Sequence, residues 1–403
     1  MDIRPILSTL RRHKTASVLI VLEIALSCAI VCNALFLIGS RIERMDRDTG
    51  LADDAIVRVN TAGIGTNENP GASTRTDLAA LRAIPGVVSA TSTNHLPFDN
   101  SSWNTSVHIK PDQQIPSMNA SVYLGDEQLL ETFGLKLIAG RDFLPEEYVD
   151  MDALNGDSSI PSAIVTRSMA EKLFPGENPL GKLLHNTWGS KPNKIVGVVE
   201  SLIRPNDNDG PTAAQYSMLF PLRPSDGRFV IRTSPERRQE VLKAAVAALE
   251  RTNRSRIILA QGTFSDVIAK YYRQDKAMVW LLGSVCVALL VVTALGIVGL
   301  ASFWVQQRTK QIGVRRALGA TRSQILRYFQ IENFLLATIG IVLGMLGAYG
   351  LNQLLMTHYA LPRLPAIYLP VGAIALWLLG QIAVYGPARR AAAVPPAVAT
   401  RSV

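Results

Sequence analysis

The residues most able to do chemistry lie in a basic segment, residues 306–328, between two long apolar runs. The segment contains no acidic residue, and its six basic side chains are Arg308, Lys310, Arg315, Arg316, Arg322 and Arg327. A short loop between membrane spans that is rich in Lys and Arg stays on the cytoplasmic side, because these residues resist translocation. The pattern predicts a surface against which a soluble cytoplasmic protein can press. Attraction to anionic lipid headgroups is the alternative interpretation.

The basic segment also carries signals of local structure. Ile312, Arg315, Arg316 and Gly319 follow helical spacing, and Gly319 is placed to end that helix. Residues 321–324 (TRSQ) then fit a capping box in front of the next apolar residues. The segment is therefore predicted to be a short helix, a break, and a second helix that leads into the membrane.

A possible phosphate-binding loop lies at residues 176–182 (GENPLGK), which match the first seven positions of that motif. Leu183 follows where the motif needs a hydroxyl group for magnesium, and Pro179 removes one backbone N–H donor. A structural turn is the better interpretation. Neither a zinc-protease nor a serine-hydrolase motif occurs, so no catalytic, cofactor-binding or metal-binding residues are predicted and the chain is not expected to be an enzyme.

The elements that must position the basic segment are membrane spans. The chain has 403 residues, of which 48% are hydrophobic, and carries a net charge of +9. Runs of about 18 or more apolar residues predict transmembrane helices. The four predicted spans are residues 16–38, 277–305, 329–355 and 366–386. The first is too long for a cleaved signal peptide and is predicted to remain as an anchor.

The positions of Lys and Arg predict the orientation of these spans. Basic residues concentrate in the N-terminal segment 1–15 (Arg4, Arg11, Arg12 and Lys14), in residues 306–328 and in the tail 387–403 (Arg389, Arg390 and Arg401). The connection 357–365 has only Arg363. Both termini and the basic segment are therefore predicted to be cytoplasmic, and residues 39–276 to lie outside. The basic charge follows membrane topology, so lipid and not nucleic acid is the expected contact.

The region outside the membrane has a mixed α and β pattern without cysteine. Two β-α-β patterns bracket a central stretch, which predicts one split subdomain (about 50–114 and 223–262) and one inserted subdomain (about 115–222). Ser234 is expected to cap a helix that has Pro235 in its first turn. Stalk helices are predicted at 39–48 and 264–276, the second running unbroken to residue 305.

Several residues inside the spans are unusual for a lipid environment. Gly340, Gly344 and Gly347 have the spacing that lets helix backbones approach closely within a bundle or a dimer. Glu23 and Glu332 are costly in lipid and are expected to face protein or the membrane interface. The three cysteines, Cys28, Cys32 and Cys286, all fall in spans, where they are predicted to be small packing residues.

Taken together, these motifs resemble the permease subunits of the MacB/FtsX superfamily of ABC transporters, the mechanotransmission type. Residues 305–320 read VQQRTKQIGVRRALGA and are similar to the family signature, with Gln311 where an acid is usual. The outer region is similar to the MacB-type periplasmic core at residues 84–89, 140–143, 170–182 and 194–199. The resemblance covers essentially the whole chain.

The resemblance implies an α-helical inner-membrane protein with four transmembrane helices and a large α+β extracytoplasmic domain of two subdomains. It also implies a dimer with a second copy or a paralogue, and a cytoplasmic helix that docks on an ABC ATPase. By position, the implied coupling residues are Arg308, Gln311, Ile312, Arg315, Arg316, Leu318 and Gly319. Only fifteen residues precede the first span, so ATP and magnesium are expected in a separate ATPase subunit.

In the MacB-like scheme that the resemblance implies, ATP-driven closure moves the external domains. Substrate is then exported through a periplasmic adaptor and an outer-membrane channel. A lipoprotein-releasing permease and an FtsX-like regulator of cell-wall hydrolases are alternatives within the superfamily. A membrane-anchored receptor that binds a ligand outside and signals inward is the alternative from a different class.

Overall fold

The computed structural model describes residues 14–64, 69–99, 101–154, 159–185, 187, 191–206, 213–359 and 364–394. The predictions that rest on Arg4, Arg11, Arg12, Arg363 and Arg401 lie outside these residues. The chain divides into two compact units. The membrane unit comprises Met1–Met45 and Gln274–Val403, and the exported unit comprises Asp46–Arg273.

Ten α-helices occur within the described residues. They are α1 (Lys14–Met45), α2 (Pro70–Arg82), α3 (Leu129–Phe133), α4 (Arg167–Leu173), α5 (Arg238–Thr252), α6 (Phe264–Tyr271), α7 (Arg273–Gln307), α8 (Thr309–Ala317), α9 (Arg322–Tyr359) and α10 (Tyr368–Ala392).

Thirteen β-strands occur within the described part of the chain, all of them in the exported unit. They are β1 (Ile56–Gly63), β2 (Val87–Ser92), β3 (Asn104–Val107), β4 (Met118–Leu124), β5 (Leu137–Gly140), β6 (Val149–Asp150), β7 (Ser162–Thr166), β8 (Leu183–Leu184), β9 (Asn193–Val199), β10 (Ser217–Phe220), β11 (Leu222–Arg223), β12 (Arg228–Thr233) and β13 (Arg256–Thr263).

Four helices of the membrane unit, α1, α7, α9 and α10, are long and apolar enough to cross a membrane. They pack around a core that includes Ile24, Cys28, Ile297, Leu336 and Leu376. The predicted fold class is confirmed: four apolar helices, with an α+β domain between the first and the other three. Helices α1, α7 and α9 extend beyond the predicted apolar limits at both ends, and α10 does so at its C-terminal end, because polar turns continue the same helical hydrogen bonding.

The predicted unbroken helix from residue 264 to residue 305 is wrong. Helix α6 ends at Tyr271, and Tyr272 (φ −87°, ψ 9°) separates it from α7. The rings of Tyr271 and Tyr272 both contact the ring of Phe98, with centroids 4.9 and 5.2 Å away. Neighbouring side chains of a regular helix point about 100° apart, so packing both tyrosines on one ring favours a break.

The first sheet of the exported unit has the strand order β13-β1-β12-β2, and all neighbouring strands are antiparallel. Strand β12 lies between β1 and β2, so the two predicted β-α-β patterns interleave in one sheet. Residues of α2 and α5, including Leu81 and Leu249, pack on Val59 and Phe229 of this sheet. The expected cap at Ser234 is not formed, because a 3₁₀ turn (Pro235–Arg237) leads into α5.

The second sheet is mixed and has the order β3-β4-β10-β7-β9-β5, with β8 paired to β9. Its core includes Val122, Ile195 and Phe220, and α4 adds Met169 and Leu173. Strand β3 belongs to this sheet, so the predicted boundary of the split subdomain at about residue 114 is wrong for this strand. The strand is short and mostly polar, so it gave no hydrophobic signal of its partner.

Residues 176–182, which resemble a phosphate-binding loop, form a turn beside this second sheet. Gly176 and Gly181 have positive φ angles of 73° and 82°, and the Gly181 N–H donates to the Ile195 carbonyl at 2.8 Å. Lys182 forms an ion pair with Glu177 at 2.5 Å. The interpretation as a structural turn agrees with this geometry.

Candidate functional site

Helix α8 and the turn after it, residues 308–320, form the segment predicted to couple to an ATPase and are called the coupling segment below. One side of α8 faces the bundle. Ile312 is buried there against Ile325 and Phe329 of α9 and Ala388 and Ala391 of α10. The apolar contact fixes α8 to the cytoplasmic ends of two membrane helices.

A buried ion pair holds the beginning of the coupling segment. Arg308 Nη1 donates to both carboxylate oxygens of Glu332, at 3.0 and 2.8 Å. The side chains of Arg308 and Glu332 are only 7% and 1% exposed, and the guanidinium also lies over the Trp304 ring at 5.6 Å. Arg308 therefore joins the end of α7 to α9, and it is not free to contact another protein.

Arg316 has a structural role as well. Its Nη1 donates to the carbonyl oxygens of Ala392 and Val394, at 3.1 and 2.7 Å. The last carbonyl groups of a helix have no partner within that helix, and a cationic side chain there also favours the helix dipole. Arg316 thus caps the C-terminal end of α10.

The turn after α8 has the geometry predicted for it. Gly319 has a φ of 95°, and the Ala320 N–H donates to the Arg315 carbonyl at 3.0 Å. The Thr321 N–H then donates to Gln324 Oε1 at 2.9 Å, and the Gln324 N–H donates to Thr321 Oγ1 at 3.3 Å. The predicted end of the helix and the predicted capping box are both confirmed.

The other side of the coupling segment is exposed. Leu318 is 83% exposed and Val314 is 50% exposed, with Gln311 and Arg315 beside them. Of the seven predicted coupling residues, Gln311, Arg315, Leu318 and Gly319 are therefore available for contact. Arg308, Ile312 and Arg316 instead hold the segment in place. Two exposed apolar side chains and a cation thus share the outer side of the coupling segment.

A second ion-pair cluster, which the sequence did not reveal, lies at the opposite end of α7. Asp275, in the first turn of α7, is buried and pairs with Arg41 and Arg44 in the last turns of α1. The Arg44 Nη1 to Asp275 Oδ2 distance is 3.0 Å. An acid at a helix start and bases at a helix end suit the helix dipoles. Only the opposite charges at two predicted stalks could have suggested this pairing.

The predicted packing glycines join α9 to α1 within one chain. A Cβ atom added at Gly340 would lie 2.9 Å from Ile24 Cβ, and one added at Gly344 would lie 2.5 Å from Cys28 Cβ. Gly347 is looser, with an α1 side chain 3.8 Å from such a Cβ position. The first two glycines thus permit an approach that no larger residue allows.

Polar side chains inside the bundle mostly contact one another or backbone carbonyls. Ser27 and Thr293 hydroxyls are 2.7 Å apart, which links α1 to α7. Asn33 Nδ2 donates to the Ala348 carbonyl at 3.2 Å, which links α1 to α9. The Glu23 carboxylate lies against Gly296 of α7. Glu23 therefore faces protein, as expected for a carboxylate in a span.

Comparison with known families divides the chain into two matched parts. Residues 17–249 match the MacB-like periplasmic core domain, and residues 283–396 match the FtsX-like permease C-terminal domain. The first match alone covers more than half of the 403 residues.

Similar bacterial proteins are named as ABC transporter or export components. The uncharacterized ABC transporter permease YknZ of Bacillus subtilis (strain 168) is 25% identical, over 99% of this chain and 98% of that protein. The macrolide export ATP-binding/permease protein MacB of Agrobacterium fabrum is 28% identical, over 95% of this chain. The chain spans only 58% of that MacB protein.

A solved structure is similar to part of the chain. The crystal structure of the extracellular domain of the ABC-type transporter YknZ from Gram-positive bacteria matches 50% of this chain and 100% of that domain, at 15% identity and a TM-score of 0.32. The chain belongs to the MacB/FtsX-like family of ABC transporter permeases and is a multi-pass protein of the inner membrane, with a periplasmic domain between its first two spans.

Proposed function

We propose that this chain is the permease subunit of a MacB-like exporter. It transmits the ATP-driven movement of a separate ABC ATPase subunit, which holds ATP and magnesium, to its own periplasmic domain. The observation that carries this proposal is the coupling segment, which is anchored on its inner side and presents Leu318, Val314 and Arg315 on its outer side.

The anchoring makes the coupling segment suitable for transmitting force. Ile312 packs on α9 and α10, Arg308 pairs with Glu332 of α9, and Arg316 binds the end of α10. Each contact is buried or half-buried, so the segment cannot shift without moving the helices that hold it. A displacement imposed by a docked ATPase is thereby shared among α7, α9 and α10.

The opposite end of α7 supports the same role. Asp275 joins α7 to α1 through Arg41 and Arg44, and the exported unit lies between these two helices along the chain. Movement of α7 is therefore expected to carry α1 with it. The chain enters and leaves the periplasmic domain through this pair of helices.

The remaining partners belong to the proposal. Export is suggested by the MacB relatives, which are named for macrolide export. A second permease copy or paralogue, a periplasmic adaptor and an outer-membrane channel complete the assembly that we propose. A separate ATPase subunit is supported by the match to YknZ. That protein is named as a permease, without an ATP-binding part in its name, and 98% of its length matches this chain.

Co-purification from native membranes tests the proposal. Tagged chain is expected to retain an ABC ATPase, identified by mass spectrometry, whose activity rises when it is bound. Leu318→Asp places a charge on the docking surface and is expected to lower that stimulation at least tenfold. Ile115→Asp, an equally drastic change at a 79% exposed residue of the exported unit, is the matched control and leaves stimulation intact.

Two results would contradict the proposed function. One is a chain that retains a kinase and no ABC ATPase, which supports the receptor alternative. The other is full ATPase stimulation by the Leu318→Asp variant. Reversing the charges of Arg315 and Arg316 together is a poorer test. Arg316 caps α10, so its substitution could lower stimulation by disturbing the fold and not the docking.

A further inference from the structure

Arg315 differs from the other two arginines of the coupling segment, because its guanidinium has neither an ion-pair partner nor a hydrogen-bond acceptor among the described residues. Arg308 pairs with Glu332, and Arg316 binds two carbonyl groups. Arg315 lies over the Tyr328 ring, 5.1 Å from its centroid, and makes no ion pair or hydrogen bond to any residue that the structure describes. This cation–π contact favours the position of the guanidinium over the ring, and the Arg315 side chain stays exposed.

A small pocket lies beside this guanidinium. It has a volume of about 40 Å³ between α8 and α9, and its lining includes Gln311, Ile312, Arg315, Ile325 and Tyr328. A water-sized group occupies roughly 10–15 Å³ by this measure, so the pocket holds about three heavy atoms. That is the size of a carboxylate group, and it is too small for a nucleotide or a complete lipid headgroup.

The charge of the pocket also favours an anion, because Arg315 lines it without an ion-pair partner, while Arg308, which lines it too, is neutralised by Glu332. Gln311 lies one helical turn before Arg315 and is neutral, so it can donate a hydrogen bond without competing for the guanidinium. A carboxylate at that position would instead pair with Arg315 along the helix. Ile312 and Ile325 add apolar walls to the pocket, so a docked partner would exclude water there and strengthen a charged hydrogen bond.

We propose that this pocket binds the side-chain carboxylate of one Asp or Glu of the ATPase subunit. Arg315 holds the carboxylate through its guanidinium fork, the Gln311 amide donates a further hydrogen bond, and the exposed Leu318 packs against an apolar part of the same partner. The inference rests on the proposed function and deepens it, because it specifies the chemistry that the ATPase must present. An anionic lipid phosphate is the competing occupant.

Affinity measurements on the full chain in nanodiscs test the inference, using the ATPase identified by co-purification as the probe. Arg315→Gln is expected to weaken ATPase binding about tenfold or more, because a hydrogen-bonded charge is lost. Arg315→Lys keeps the charge but loses the fork, so a smaller loss is expected. Gln311→Glu is expected to weaken binding as Arg315→Gln does, because the new carboxylate forms an ion pair with Arg315 along the helix. Arg390→Gln, at an exposed arginine near the end of α10, is the matched control and stays within twofold of the unchanged chain.

The lipid composition separates the two anions. Binding to the ATPase is expected to show the same dependence on Arg315 in phosphatidylcholine nanodiscs as in nanodiscs that contain phosphatidylglycerol. A loss that appears only with phosphatidylglycerol assigns the pocket to lipid and overturns the inference. Reversing both charges, with Arg315→Glu in this chain and Arg in place of the candidate acid of the ATPase, is expected to restore binding.

The results also separate this inference from the proposed function. If Leu318→Asp abolishes ATPase binding while Arg315→Gln and Gln311→Glu remain within twofold, the carboxylate pocket is wrong and the docking surface stands. If the unchanged chain binds no ABC ATPase, both fail together. Size-exclusion profiles of the variants show whether a loss of binding comes from misfolding.

Discussion

At the scale of single residues, burial decides what the charged groups of the membrane unit do. Arg308 and Glu332 are almost completely buried, and each is the other's only charged partner among the described residues. Removing one member of such a pair leaves an uncompensated buried charge, which typically costs about 3–5 kcal/mol. Removing both members leaves no such charge and costs much less.

We therefore expect Glu332→Gln to lower the free energy of unfolding by several kcal/mol, on the order of the cost of an unpaired buried charge. The double variant Arg308→Gln with Glu332→Gln should recover a large part of that loss. Thermal denaturation of the purified chain, followed by loss of the monodisperse species, gives the comparison. Equal losses in the single and double variants would show that the pair is not the source of the effect.

His95 in the exported unit shows how burial acts on a neutral group. It is 1% exposed, and neither ring nitrogen has a hydrogen-bond partner among the described residues. Burial, with a contribution from the nearby Arg228, lowers the pKa of His95 to about 3, whereas an unfolded chain has a pKa of about 6.5 at this residue. The unfolded state thus binds the proton first as the pH falls.

The stability that His95 contributes is therefore present above pH 6.5 and is lost as the pH falls from there towards 3. We expect urea to unfold the exported unit at lower concentration at pH 5 than at pH 7. His95→Phe should reduce the difference in the free energy of unfolding between the two pH values, by up to about 1.4 kcal/mol for each pH unit. Pulse proteolysis of the full chain in urea measures it, and an unchanged pH dependence in the variant contradicts the assignment.

At the scale of the elements, close approach of backbones joins α1 to α9. The two positions Gly344 and Gly350 form a natural comparison, since a Cβ atom at Gly344 meets Cys28 at 2.5 Å and one at Gly350 meets nothing within 4 Å. Gly344→Leu is expected to force the helices apart and to destabilise the chain by about 1–3 kcal/mol or more. Gly350→Leu should be tolerated. Similar thermal midpoints for the two variants would contradict this packing.

The sequence predicted the features that depend on near neighbours in the chain. The end of α8 at Gly319 and the capping box at Thr321 were predictable because their hydrogen bonds span only three to five residues. The break at Tyr272 was not, because it follows from packing on Phe98, more than 170 residues away along the chain. The role of Arg316 as a cap of α10 was missed for the same reason.

At the scale of the whole molecule, α7 is held by polar contacts at both of its ends. Asp275 binds α1 at one end, and Arg308, directly after the other end, binds α9. A rigid helix held in this way can pass a displacement from the coupling segment to α1. The two ion pairs are thus expected to have separable roles in the proposed transmission of movement, since only the pair at Arg308 lies beside the docking surface.

Asp275→Asn tests that separation. The variant removes the charge that holds Arg41 and Arg44 to α7, while the coupling segment is unaltered. We expect ATPase binding to remain within twofold, and the nucleotide-dependent change in protease accessibility of the exported unit to fall by at least half. Lys276→Gln, an exposed neighbour of Asp275, should leave both measurements unchanged. A full accessibility change in Asp275→Asn would mean that α1 follows α7 through the apolar core alone, because the polar tie would then be dispensable for transmission.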